Sequence, residues 1–166
     1  MAAKGQIVSH WYHLTEGLQQ SSLEFYGSVE QAVQTREMTK VALKRASYRE
    51  GGVLSAKREY LEIKRHEHTF CICAAPFGTG FFISWWLLEK PSSILLQLFG
   101  FIPVVGPLAL WAFQPVTYYR VDTALMFQES VHLAVLEILD QMTTAKGLRL
   151  LSETERKPIM AGFFKK

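Results

Sequence analysis

The chain has 166 residues, 49% of them hydrophobic and 20% charged, with a net charge of +3 and a mean hydropathy of +0.08. That much apolar material excludes a disordered chain, and two cysteines exclude a disulfide-stapled scaffold. A net charge of +3 is too weak to point to nucleic acid.

From the N-terminus, residues 1–20 are mixed, and Trp11, Tyr12 and Leu14 suggest a short amphipathic helix. Ser21-Ser22-Leu23-Glu24 fits a capping box, in which a hydroxyl and a carboxylate cover free N–H groups at a helix start. Leu23, Tyr26, Val29, Ala32 and Val33 then recur at helical spacing, which predicts a helix over about 22–37. Between Lys40 and Glu50, Val41 and Leu43 alternate with polar residues, and Ala46 and Tyr48 do so in the opposite phase, which predicts a strand with a bulge. Glu50-Gly51-Gly52 is a hairpin turn signal. A second strand follows from Val53 to about Lys64 and a third over Thr69–Ala74, giving a three-stranded antiparallel meander.

The charge pattern then changes. Residues 41–69 hold seven basic and four acidic residues, whereas 70–119 hold only the adjacent pair Glu89 and Lys90. Thr69–Leu88 is an uncharged run of 20, and Pro91–Tyr119 is one of 29. A helix needs roughly 20 apolar residues to span a bilayer. Ile94–Phe113, with fifteen apolar residues and with Pro103 and Pro107 as kinks, fits one span. In the first run Ala75-Pro76-Phe77-Gly78-Thr79-Gly80 reads as a hinge, leaving Gly80–Leu88 as a short apolar helix. The expectation is a hydrophobic helical hairpin, transmembrane or re-entrant, with Trp85, Trp86 and Trp111 at the membrane interface. Its alternative is a buried hairpin of a soluble domain. Lys57, Arg58, Lys64, Arg65 and Arg120 flank the zone, which marks them as lipid-headgroup candidates and places both termini in the cytoplasm. No charged-then-apolar leader opens the sequence, so export through a cleaved signal is not expected.

A long amphipathic helix is predicted over about Thr117–Thr144. Val121, Ala124, Val131, Val135, Ile138 and Met142 form its stripe, interrupted by Gln128, and the stripe packs on the sheet or seams a homodimer. Lys146-Gly147 is its stop, and Leu148–Lys157 before Pro158 reads as a short helix or turn. The fold class expected is therefore α+β: an N-terminal helix, a three-stranded meander, a membrane hairpin and a long C-terminal helix. The segments are a cytoplasmic 1–69, a hydrophobic 70–119, and a cytoplasmic 120–166 packed on the first.

Chemistry-bearing motifs are sparse. His66, His68, Cys71 and Cys73 have the residue types of zinc or copper ligands. On a regular strand, however, the histidines and the cysteines fall on opposite faces, and free cysteine also behaves as a small hydrophobe. Glu129-x-x-His132 and His10-x-x-His13 are single pairs without the matching set that a di-iron bundle needs. Gly78-Thr79-Gly80 lacks a Walker lysine. The basic group Lys44, Arg45, Arg49, Lys57, Arg58, Lys64 and Arg65 is interleaved with glutamates, so no unbroken stripe forms for nucleic acid. No cofactor, metal or small-molecule substrate is expected, and the partners expected are a lipid bilayer, a second copy or a membrane protein. The function read from these features is a small membrane-embedded, non-enzymatic anchor, scaffold or accessory subunit. The alternatives are an oligomeric pore or transport subunit, and a metal-dependent enzyme using the His66/His68/Cys71/Cys73 cluster.

Overall fold

The computed structural model describes residues 5–49, 57–90 and 117–160. Among these the chain forms β1 (Gln6–Glu16), α1 (Ser22–Gln34), β2 (Val41–Arg49), β3 (Lys57–Arg65), β4 (His68–Phe77), β5 (Gly80–Glu89), α2 (Tyr118–Ala145) and β6 (Ile159–Met160). The strands make one six-stranded sheet in the order β2-β3-β4-β5-β1-β6, with every adjacent pair antiparallel. The expected architecture is corrected accordingly. Residues placed in an N-terminal amphipathic helix form β1, and the meander and half of the hydrophobic zone belong to the same sheet.

The main correction concerns Thr69–Leu88. This run is not a helical arm but the two central strands of the sheet, β4 and β5, paired from Phe77–Gly80 to His68–Glu89. Its residues are aromatic, β-branched or small, the types that suit a pleated surface. Gly78-Thr79, read as a hinge, is a two-residue hairpin loop: Gly78 takes φ +59 and Thr79 does not take a positive φ, the pattern of a type II′ turn. Gly80 is required for a second reason, since a Cβ there would lie 2.8 Å from the Thr15 carbonyl oxygen on β1. The run carries no charge because β4 is buried on both faces from His68 through Ala74. Among the described residues no helix is long and apolar enough to cross a membrane. The membrane hairpin is therefore overturned, and the cytoplasmic placement of the termini loses its premise. Ile94–Phe113, with Trp111, lies outside the described residues, as does the Gly51-Gly52 turn.

The bulge expected in β2 is absent, because Val41–Arg49 pairs with Lys57–Arg65 without a register shift. The apparent change of phase arises because Arg45 faces inward and is neutralised there by Glu30 of α1, at 2.9 and 3.0 Å. The irregularity falls in β1 instead, between Ile7 and Ser9. The capping box is not made: Ser21 is the N-cap but its hydroxyl makes no cap bond, and Glu24 accepts from the Gln20 amide.

Both helices cover the inner face of the sheet. Phe25, Tyr26, Val29, Ala32 and Val33 of α1 are buried, and so are Ala124, Phe127, Val131, Val135 and Ile138 of α2. They meet Leu61, Ile63, Phe70, Ile72, Phe81, Ile83, Trp85 and Leu87 in a single core. The α2 stripe is thus occupied within the chain, and even its polar member Gln128 is used, accepting a hydrogen bond from Ser9 on β1.

One side chain repairs the sheet. Pairing of β3 with β4 stops at Leu61–Ile72, and beyond it the Tyr26 hydroxyl sits between the strands. It accepts from the Ala74 amide at 2.8 Å and donates to the Glu59 carbonyl at 2.9 Å. Buried backbone groups left without partners are costly, so the phenol substitutes for missing ladder bonds. Tyr26→Phe should lower unfolding stability by about 1–3 kcal/mol in urea denaturation. An unchanged midpoint would show that the hydroxyl has no such role.

Candidate functional site

Alternation along the strands sorts the sequence-derived candidates between two faces. Trp85 is fully buried on the inner face, whereas Trp86, 37% exposed, lies on the outer one. Lys64 and Arg58 face outward, and Arg65 faces inward with its Nε donating to the Thr39 carbonyl. Lys57 pairs with Arg49 through the backbone of β2 and β3. Arg120 lies in the first turn of α2 and is bonded to Glu89. Arg65 and Arg120 are therefore parted from the surface that Arg58 and Lys64 share.

The His/Cys cluster is not assembled either. His66 occupies the tip of the β3–β4 turn at φ +53, exposed. His68 points into the inner layer, while Cys71 and Cys73 stand on the outer face, in register with Trp86 and Ser84 of β5. Both cysteines are buried and free, and burial pushes the Cys71 thiol up to about 11. A thiol in that state is neither a nucleophile nor a ready metal ligand. Among the described residues, the group whose ligand atoms do converge is Glu67, His68 and Glu89, all within 4.8 Å of one another. His68 and Glu89 are direct partners across β4 and β5, and the two-residue turn His66-Glu67 brings Glu67 beside them. No spacing in the sequence signals this set, because Glu89 meets His68 only through the β4–β5 register.

The outer face is divided. On the β5–β1 side stand Phe82, Trp86, Ile7, Tyr12 and Leu14, with the His10 ring stacked on Trp86 at 4.7 Å and an interplanar angle of 16°. Tyr12 is 60%, Ile7 43% and Leu14 41% exposed, and Phe77 at the hairpin end is 71% exposed. On the β2–β3 side stand Lys44, Arg58 and Lys64 around one carboxylate, Glu62. Glu62 is already committed: it accepts from the Tyr48 hydroxyl and pairs with the Lys64 ammonium at 2.8 Å. Burial would raise its carboxyl, but these two hydrogen bonds outweigh that and hold it below its ordinary value. His10-x-x-His13 is no pair, since the two rings lie on opposite faces of β1.

His132 has a structural assignment. Its Nδ1 accepts from Trp85 Nε1 at 3.1 Å, so the proton resides on Nε2, which donates to the Arg156 carbonyl at 2.6 Å. Trp11 packs edge-on against the same ring and donates to the Glu155 carbonyl at 2.6 Å. Arg156 makes two bonds to Asp140 of α2, at 2.7 and 2.9 Å. Glu129, one turn away on α2, is exposed and makes no bond to the ring. The ring is thus a neutral link between sheet, helix and the segment after α2. Comparison with protein-family models, curated proteins and solved structures found no match, so the site is read from its own geometry.

Burial holds His132, His68 and His13 below the usual histidine value of 6.5. Between that value and the lower native one, the unfolded chain binds protons that the native state does not. Stability is therefore whole above about pH 6.5 and drains as the pH falls. Thermal unfolding at pH 7.5 and pH 5.5 should show a lower midpoint in acid. His132→Gln, which keeps a donor and an acceptor but does not titrate, should flatten part of that slope; superimposable profiles would refute the assignment.

Proposed function

We propose that this protein is a non-catalytic binding module, a scaffold or accessory subunit, that docks a protein surface with an apolar centre and an acidic rim on the outer face of its sheet. The observation that carries this reading is the group Tyr12, Leu14, Ile7 and Trp86, exposed side by side on strands β1 and β5. An antiparallel sheet with helices on one face ordinarily turns polar residues to water on the other. Contiguous exposed apolar surface marks interaction sites, and rigid aromatic anchors such as Trp and Tyr dominate their energetics. The stacked His10 restricts Trp86, so little side-chain freedom remains to be lost on binding. The excess of basic over acidic side chains on the β2–β3 side supports an acidic rim on the partner.

Single-stranded nucleic acid fits less well. Stacked bases need cations within backbone reach of each aromatic platform, and here the exposed aromatics and the lysines occupy different halves of the face. The pore reading is not carried forward, since Gly80–Leu88, the first arm of its hairpin, is strand β5 of the sheet.

A photo-crosslinking residue at position 12 or 77 of the full chain should capture one partner from cells, to be identified and then purified. Trp86→Ala and Tyr12→Ala should each weaken that complex at least about tenfold, roughly 1.4 kcal/mol, in a direct titration. Lys44→Glu should reduce the salt dependence of association. Equal affinity in all variants would overturn the reading. Trp86-dependent binding of single-stranded RNA, or self-association lost in Leu14→Ser, would replace the proposed partner.

A further inference from the structure

We propose that Glu67, His68 and Glu89 form a binding site for a divalent transition-metal ion of the zinc class. The site lies at the end of the inner face and does not depend on the docking surface. Its three ligand atoms come from three backbone positions that the sheet holds together: the β3–β4 turn, the start of β4 and the end of β5. The turn is fastened to β5 by the Lys90 amide, which donates to the Glu67 carbonyl at 2.9 Å.

The observation that points to a ligand is His68 itself. Its side chain is 1% exposed, and among the described residues its Nε2 has no hydrogen-bond partner. The nearest carboxylate oxygen, Glu89 Oε1, lies 3.9 Å away, beyond hydrogen-bond range. A buried ring nitrogen without a partner is uncommon in a folded chain, where such atoms are satisfied by protein, water or ion. A cation between the imidazole and the two carboxylates satisfies that nitrogen and balances both negative charges. Burial keeps the ring neutral, which is the form that coordinates.

One nitrogen and two carboxylate oxygens make a donor set for a borderline metal. Imidazole favours zinc, iron, copper or nickel over magnesium, and three protein ligands leave at least one coordination position for solvent. Arg120 is the outer partner. Its guanidinium from the first turn of α2 is bonded to Glu89 and orients that carboxylate, as second-layer groups do in metal centres. Bound metal would then link the turn, both central strands and α2.

The test uses the full chain purified without a histidine tag and stripped with a chelator. Zinc chloride titrated against a chromophoric competitor should give one equivalent bound and a higher thermal midpoint, with magnesium giving neither. Glu67 is part-exposed on a turn, so Glu67→Ala should keep the fold by circular dichroism while weakening zinc at least about tenfold. His68→Gln should abolish binding. X-ray absorption of the zinc-loaded protein should show only nitrogen and oxygen scatterers at about 2.0–2.2 Å. The site is refuted if no zinc is bound, if Glu67→Ala binds as the parent does, or if a sulfur scatterer at about 2.3 Å assigns the ion to Cys71 or Cys73.

Discussion

The antiparallel pairing of β4 with β5 is the interaction on which the rest of the molecule depends. These strands are the two middle members of the sheet and pair along their whole length, from His68–Glu89 to Phe77–Gly80. β3 adds to one side and β1 to the other, so an error in the central register would move every flanking residue to the wrong face. A glycine at positive φ sets that register. Being central, the pair tolerates no unpaired charge over Thr69–Ala74, because inward residues meet the helices and β4 is buried there on its outward side as well.

Most polar groups in this interior have their hydrogen bonds accounted for. The Tyr26 phenol closes the gap left where β3 and β4 part. The His132 ring uses both nitrogens, and Ser9 meets Gln128 across the sheet–helix interface. These bonds join residues far apart in sequence and so discriminate the native packing from other compact arrangements. Against that background the unpartnered Nε2 of His68 stands out, and Thr15 Oγ1 is its one companion among the described residues.

The two faces of the sheet divide the labour. The inner face carries the core and, at one end, the Glu67/His68/Glu89 group. The outer face carries the aromatic and aliphatic group on β5 and β1 and the basic group on β2 and β3. Cys71 and Cys73 fall between these groups, with thiols that burial keeps protonated, and they serve as small apolar fillers beside Trp86 and Ser84.

The amino-acid sequence by itself determined what is local. Tyr26, Val29, Ala32 and Val33, and likewise Val131, Val135 and Ile138, recur at the helical period, and helices occupy both stretches. Lys146-Gly147 ends the second helix, with Gly147 at φ +65. The alternation in Val41–Arg49 and in Leu61–Lys64 is that of strands, because side-chain period follows from backbone geometry alone. The sequence also determined that Thr69–Leu88 cannot face water as a charged surface. It did not determine what hides that run, since lipid, a helical core and neighbouring strands all demand the absence of charge. Only tertiary structure decided this, by placing β3 and β1 on either side of the pair. The same holds for the site: Glu89 is twenty-one residues from His68 and becomes its neighbour only through the hairpin register. Which glutamate joins which histidine is a property of strand pairing, a long-range choice that no local spacing encodes.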